Sequence, residues 1–160
     1  METNKTPAKV ISFCPSADAE LNWWILQHYG INFVEKRHAP PFFFIIRKFY
    51  GGNSLVLCHI GDKTLDSVRT IIDHFDALAD SEKKLIPESL VQDMDASWQR
   101  YNSDLGGAAV TWAYTNLLPY KDIMVRPLSL GSPWHERFFV QHCYNIPKPD
   151  EPEPKKLKSA

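Results

Sequence analysis

The sequence predicts an α/β domain of the order strand, helix, strand, helix, hairpin, helix, followed by an all-α region. Two observations support this order. Short β-branched and aromatic segments alternate with segments whose apolar residues recur at spacings of three and four, and glycine or proline closes most of these segments. A chain of 160 residues holds one ordinary domain, or one small domain and part of a second.

Composition and charge indicate a globular protein. Hydrophobic residues make up 44% and charged residues 23% of the chain, which is enough to build a core. The formal net charge is -1, with acidic and basic residues mixed along the sequence. Nucleic-acid binding needs a basic surface that neutralises phosphates, so we expect no nucleic-acid partner.

Cysteine and histidine spacing argues against disulfides and metal sites. Cys14, Cys58 and Cys143 lie far apart and form no C-x-x-C pair, and the six histidines show no ligand spacing. No apolar run approaches the roughly 18 residues of a membrane span, and the first residues are polar. We therefore expect a cytoplasmic protein without a metal, a disulfide or a membrane segment.

The first unit is a strand, a helix and a second strand. Residues 9–14 form a strand that stops at Pro15, and Ser16 is the candidate N-cap of a helix that closes at Gly30. The apolar face of this helix is predicted from Leu21, Trp24, Ile25 and His28. Residues 31–37 then form a strand parallel to the first.

A second helix and a hairpin follow. Pro40 and Pro41 suit the entrance of a helix over residues 42–50, whose all-round apolar character predicts deep burial. Residues 54–60 and 63–65 read as strands joined by a turn at Gly61-Asp62.

The third helix completes the α/β part. Asp66-Ser67 is a candidate cap pair for it. Its predicted buried positions are Val68, Ile71, Ile72, Phe75 and Leu78. The resulting βαβ plus ββα order, over residues 9–79, is that of a thioredoxin-like domain.

The remainder is predicted to be helical. Residues 80–87 read as a linker, and residues 88–146 as a partial helical domain with helices over 88–102 and, after a loop, 105–118. Pro119, Pro127 and Pro133 are expected to cut the next stretch, with three helical turns in 134–144. We expect residues 1–8 to be flexible and 147–160 to be disordered, and the tryptophans to lie in the core or at a domain interface.

Taken together, these residues resemble the glutathione transferase superfamily. In that family a loop after the first strand bears a catalytic Ser, Cys or Tyr about fourteen residues before the glycine that closes helix one. Ser16 stands fourteen residues before Gly30, and Phe13-Cys-Pro-Ser16 is similar to that loop. Further similar segments are Gly30-Ile-Asn-Phe33, His38-Ala-Pro-Pro-Phe42, Tyr50-Gly-Gly52, Leu117-Leu-Pro119 and Gly131-Ser-Pro-Trp-His-Glu136.

The resemblance implies residue roles. Ser16 would activate the glutathione thiol, and Asp66-Ser67 would hold the γ-glutamyl end. The family has a Val-Pro pair before strand three, whose cis-proline exposes backbone groups to the cysteinyl part. Leu55 stands at that place here. A second departure is the helical domain, which is shorter than the family's and looks incomplete.

Three functions remain open from the sequence. The leading one is a glutathione transferase-like enzyme that binds glutathione as co-substrate and directs its thiolate at a hydrophobic electrophile, with a second copy of the chain in a homodimer as an expected partner. The second is a non-catalytic scaffold with the same fold, for which Leu55 and the short helical region argue. The third is a thiol-disulfide reductase that depends on Cys14, two residues early for the catalytic position. Ser16, Asp66 and Ser67 also have ordinary roles as helix caps, and an incomplete helical domain predicts low stability or self-association.

Overall fold

The computed structural model describes residues 7–144 of the chain. Most of the predicted flexible N-terminus (1–8) and the whole predicted disordered tail (147–160) lie outside the described residues. The strands are β1 (Ala8–Ser12), β2 (Phe33–Arg37), β3 (Leu57–Ile60) and β4 (Lys63–Leu65). The helices are α1 (Ala17–His28), α2 (Pro40–Phe49), α3 (Val68–Asp76), α4 (Val91–Trp98), α5 (Gly107–Leu117), α6 (Lys121–Ser129) and α7 (Trp134–Cys143).

One sheet organises the first half of the chain. Its strand order is β2-β1-β3-β4, with β2 parallel to β1, and with β3 antiparallel to both β1 and β4. Gly61 adopts a positive φ of 57° at the tip between β3 and β4, a conformation that glycine allows at no steric cost. The predicted element order up to α3 therefore agrees with the structure.

The sheet separates two layers of core residues. Along β1, alternate side chains point to opposite faces, as the pleat requires. Val10 packs with residues of α1 and α3, whereas Ile11 packs with Phe43 of α2. The larger layer consists of Ala8, Val10, Ile25, Leu26, Val56, Cys58, Val68, Ile71, Ile72, Phe75 and Ile86.

The predicted loop between two helices after residue 102 is wrong. The backbone stays helical from Val91 to Leu117, with a π-helical segment over Gln99–Gly106 between α4 and α5. Gly106 and Gly107 both have helical dihedral angles. Glycine costs a helix only about 1 kcal/mol relative to alanine, so the pair weakens the helix without ending it.

The expected break at Pro127 is also wrong. Pro127 lies inside α6, near its C-terminal end. A proline so late in a helix removes one backbone donor without stopping the final residues. Pro119 and Pro133 do separate helices, and the predicted helix over 134–144 is present as α7.

Several predicted burial assignments are wrong. In α2 only Phe43 is buried, whereas Ile45 and Phe49 are exposed, because one stripe of this short helix faces the sheet. In α1 Ile25 is buried as predicted, together with Ala19, Asn22 and Leu26, whereas Trp24 and His28 are exposed. Leu78 lies beyond the end of α3 and is exposed.

Three of the five tryptophans contradict the expected burial. Trp24, Trp112 and Trp134 are 63%, 69% and 75% exposed. Exposed apolar side chains also occupy much of the surface of the segment from α4 to α5, where no residue is buried. This surface is consistent with the predicted self-association but does not test it.

The residues predicted as a linker are tied to the sheet half. The Asp76 carboxylate accepts hydrogen bonds from the backbone N–H groups of Leu85, at 2.7 Å, and Ile86, at 3.0 Å. The Tyr29 hydroxyl donates to the same carboxylate, and Ile86 joins the core. Whether a domain boundary falls over residues 80–87 stays a prediction.

A buried carboxyl group joins α7 to the start of α2. Glu136 is 2% exposed. Its Oε1 atom accepts a hydrogen bond from His38 Nδ1 at 2.8 Å, and its Oε2 atom accepts one from the Ala39 backbone N–H at 2.7 Å. Ala39 is the N-cap residue of α2 and has no side-chain cap of its own. Glu136 thus accepts, from α7, one of the backbone N–H groups that the N-terminus of a helix leaves without an intrahelical partner.

We expect Glu136→Ala to lower the free energy of unfolding by about 2–4 kcal/mol, because it leaves buried donors on His38 and Ala39 without an acceptor. Urea denaturation followed by circular dichroism measures the change. The control is Glu88→Ala, which removes an exposed carboxylate that pairs with Lys84 and should leave the midpoint nearly unchanged. Equal losses in the two variants would contradict this role of Glu136.

Candidate functional site

The strand register places the predicted site residues at one end of the strands. We call this end the carboxyl edge of the sheet, because β1 and β4 finish there. Val10 pairs with Cys58, and Cys58 pairs with Leu65 on its other side. The carboxyl ends of β1 and β4 and the start of β3 therefore lie at the same edge. Because neighbouring strands are about 4.8 Å apart, the loops after β1 and β4 begin roughly 10 Å apart.

Ser16 follows β1 at this edge and caps α1. Its Oγ atom accepts a hydrogen bond from the Ala19 backbone N–H at 3.3 Å, which confirms the predicted N-cap. Within residues 7–144 no group accepts a hydrogen bond from the Ser16 hydroxyl, so its hydrogen is available to a ligand. The catalytic role of Ser16 stays a prediction.

Ser16 lines a second, smaller pocket of about 280 Å³, whose walls combine apolar side chains with a few charged ones. Glu35 and Arg37 of β2 form part of its wall and pair with each other at 2.7 Å. Glu35 also accepts a hydrogen bond from the buried Ser12 hydroxyl. Each carboxylate oxygen of Glu35 therefore accepts one hydrogen bond from a neighbouring side chain.

Asp66 and Ser67 follow β4 at the same edge. The Ser67 hydroxyl accepts a hydrogen bond from the Thr70 backbone N–H at 3.1 Å, and Thr70 Oγ1 accepts one from the Ser67 N–H at 3.1 Å. This reciprocal capping box shows that Ser67 caps α3, as predicted. Asp66 is half-buried and has no hydrogen bond or ion pair to another residue of 7–144.

Leu55 precedes β3, between the other two loops. Its side chain is 37% exposed and lines an apolar cleft. Neither its backbone N–H nor its carbonyl is hydrogen-bonded within the described part of the chain. In residues 7–144 the cis peptide bond is Cys14-Pro15, not the bond before Leu55.

The apolar cleft lies between the sheet half and the helices that follow it. It has a volume of about 470 Å³ and its walls are almost entirely apolar. The sheet half and α2 contribute Phe13, Pro40, Pro41, Phe44 and Leu55. The later helices and the residues beside them contribute Tyr114, Leu118, Leu128, Phe139, Val140, Cys143 and Tyr144. A cleft of this size and lining fits a small hydrophobic molecule.

The structure brings only part of the predicted site together. Leu55 lines the apolar cleft, Ser16 lines the smaller pocket, and Phe13 lines both. Asp66 and Ser67 line neither cavity, although they share the sheet edge with Ser16. A ligand that contacts all four residues must therefore extend along that edge.

Sequence reasoning missed Tyr114. This residue of α5 lines the apolar cleft, and its hydroxyl donates a hydrogen bond to the Pro15 carbonyl at 3.2 Å. The two residues lie 99 positions apart, and no local spacing signals such a contact.

Cys14 does not have the environment of a reactive thiolate. Burial raises the pKa of its thiol, and Glu35 and Glu20 raise it further, whereas Arg37 lowers it. A protonated thiol is a poor nucleophile, which weakens the reductase hypothesis. Burial also raises the pKa of the core residue Cys58 to about 12.

Residues 7–144 contain no group of three or more His, Cys, Asp or Glu side chains placed to hold a metal ion. None of their helices is long and apolar enough to cross a membrane.

Comparison with known proteins shows the fold. No family model and no curated protein sequence matches the chain. Among solved structures the chain is similar to a glutathione S-transferase of Ceriporiopsis subvermispora in complex with glutathione, with a TM-score of 0.51 and 10% identity. The match covers 84% of this chain and 58% of that chain, so the protein spans less than two thirds of its neighbour's length. The predicted fold class, a thioredoxin-like domain followed by a helical region, is confirmed.

We expect Cys14 to react slowly with iodoacetamide at neutral pH, since burial keeps its thiol protonated. The test uses Cys143→Ser, which removes the exposed cysteine. Alkylation of the Cys14 peptide, followed by mass spectrometry, should have a pH midpoint above about 8.5, the value of a free thiol. A midpoint below that of free cysteine would restore the reductase hypothesis.

Proposed function

We propose that the protein binds glutathione along the carboxyl edge of its sheet and presents the thiol to a hydrophobic electrophile in the apolar cleft. The observation that carries the proposal is the position of three binding elements along one edge that borders this cleft. They are the Ser16 loop, the unpaired backbone of Leu55, and Asp66 before α3. The similar fungal structure contains glutathione and supports the choice of ligand.

The length of the edge suits a tripeptide. An extended residue spans at most about 3.3–3.6 Å, so three residues reach roughly 10 Å, the separation of the loops after β1 and β4. In this arrangement the cysteinyl part of glutathione lies beside Leu55. The backbone amide and carbonyl of Leu55 are free to pair with a peptide, as the backbone at a cis-proline would be.

The charges along the edge suit the γ-glutamyl end. Asp66 supplies a carboxylate for the ligand's ammonium group, and the N-terminus of α3, capped by Ser67, favours the ligand's carboxylate. Asp66 has no partner within residues 7–144 that would compete for this role.

The chemical step proposed is thiolate attack. A free thiol with a pKa near 8.5 is mostly protonated at neutral pH. The Ser16 hydroxyl, with its free hydrogen at the N-terminus of α1, would donate to the sulfur and stabilise the thiolate. The sulfur then forms a bond to the electrophilic carbon, and the leaving group departs with its electron pair.

The surroundings of the site agree with this proposal. The aromatic and aliphatic walls of the cleft would hold the electrophile beside Phe13, which borders both cavities. We place the protein in the cytoplasm, where its three unpaired cysteines stay reduced. The exposed apolar side chains of α4 and α5 would suit a homodimer contact.

The second candidate function is a non-catalytic scaffold. Leu55 in place of proline and the large exposed apolar surface favour this alternative. Such a protein would keep the fold without turning over an electrophile. Glutathione binding and activity with 1-chloro-2,4-dinitrobenzene separate the two candidates, because a scaffold shows no turnover.

We expect Asp66→Asn to weaken glutathione binding about tenfold, the typical loss for a charge-assisted hydrogen bond. Isothermal titration calorimetry measures the dissociation constant. The control is Asp62→Asn, at the hairpin tip on the opposite edge of the sheet, which should bind like the wild type. Identical affinities for all three proteins would exclude Asp66 from the site.

We expect Ser16→Gly to reduce kcat/KM with 1-chloro-2,4-dinitrobenzene by about 10- to 100-fold, because it removes the donor to the sulfur. Glycine is tolerated at an N-cap, so α1 should remain intact. The matched variant Ser16→Thr keeps both the hydroxyl and the cap and should retain most of the activity. Full activity of Ser16→Gly would show that another group activates the thiol.

A further inference from the structure

The β1–α1 loop, residues 13–16, is held firmly at its two ends. Phe13 is buried in the core layer beneath α2. Ser16 is fixed to α1, because its carbonyl accepts a hydrogen bond from the Glu20 N–H and its hydroxyl oxygen accepts one from the Ala19 N–H. The middle of the loop, Cys14-Pro15, makes no hydrogen bond to the sheet half within residues 7–144.

Tyr114 of the helical half makes a hydrogen bond to the middle of this loop. Its hydroxyl donates to the Pro15 carbonyl at 3.2 Å. Within residues 7–144, the side-chain hydrogen bonds of Thr111 and Asn116 stay inside α5. The hydrogen bond of Tyr114 instead joins α5 to the β1–α1 loop. The bond acts on the residue immediately before Ser16.

The environment of Tyr114 keeps the hydroxyl a donor. Burial raises the pKa of Tyr114, and the neighbouring Cys14 raises it further. The hydroxyl therefore remains protonated across neutral pH. The charged groups around the loop are Glu20, Glu35 and Arg37, and Arg37 is already paired with Glu35.

We propose that Tyr114 is a positioning residue: its hydrogen bond to the Pro15 carbonyl holds the β1–α1 loop so that the Ser16 hydroxyl faces the glutathione thiol. The inference rests on the proposed function. It makes the helical half part of the thiol-activating site, and not merely a wall for the electrophile. Tyr114 acts through Ser16, so its contribution should vanish when the Ser16 hydroxyl is absent.

Tyr144 provides a matched control. Its ring lines the same cleft, and its hydroxyl donates to the Leu118 carbonyl, between α5 and α6. It makes no hydrogen bond to the β1–α1 loop. Tyr114→Phe and Tyr144→Phe each remove one hydroxyl from the cleft and leave the ring in place, but only the first releases the loop.

The first experiment measures amide hydrogen exchange of the full chain by mass spectrometry. In Tyr114→Phe, the amides of Ala19 and Glu20, which are hydrogen-bonded to Ser16, should exchange about three- to tenfold faster than in the wild type, the effect of one neutral hydrogen bond. Tyr144→Phe should leave them unchanged. Unchanged exchange in Tyr114→Phe, or an equal increase in both variants, would overturn the proposal.

The second experiment is a double-mutant cycle between Tyr114→Phe and Ser16→Gly, with kcat/KM measured against pH. In the wild-type background Tyr114→Phe should lower kcat/KM about three- to tenfold and raise the kinetic pKa of the glutathione thiol. In the Ser16→Gly background it should have no further effect. Additive effects, or a pH profile that does not shift, would overturn the proposal.

Failure of the proposed function is a separate result. If the wild-type protein does not bind glutathione, the proposed function fails, and Tyr114 cannot position Ser16 for that thiol. The exchange experiment then still decides whether Tyr114 holds the loop. If glutathione binds and turnover occurs but the cycle is additive, the proposed function stands and only the role of Tyr114 is rejected.

Discussion

Glu136 buries a carboxyl group near the start of α7, and both of its oxygens accept hydrogen bonds from residues that precede α2. A buried carboxyl group is tolerated only where such donors replace water. This contact therefore fixes α7 against the entrance of α2. Pro40 and Pro41 begin α2 and form one wall of the apolar cleft, and α7 contributes to the opposite wall. Glu136 therefore joins two walls of the cleft.

The sheet imposes the second constraint. Its register sets the spacing of the loops after β1 and β4 before any ligand is present, and the cap residues Ser16 and Ser67 orient the helices that begin there. In the function that we propose, this spacing sets the length of the tripeptide site, and the side chains add specificity to it. The helical half contributes the cleft wall and, through Tyr114, a hold on the loop that bears Ser16.

The sequence was informative where short-range rules apply. The hairpin at Gly61-Asp62 and the caps at Ser16 and Ser67 depend on neighbouring residues, and their prediction is confirmed. The contacts of Tyr114 and Glu136 span almost a hundred positions, so no local pattern could reveal them. The exposure of Phe49 was not predicted, because the apolar composition of α2 does not say which face of the helix meets the sheet. The position of the loops after β1 and β4 at the same edge depends on the strand register, which no local pattern gives.

The proposed function requires glutathione to lie along the carboxyl edge of the sheet. A titration with millimolar glutathione, followed by ¹H–¹⁵N correlation spectra of the assigned protein, tests this position. We expect shifts in the amides of residues 13–16, 55–57 and 66–68, with Gly61 and Asp62 at the opposite edge unaffected. Absence of shifts, or shifts centred on the hairpin tip, would contradict it.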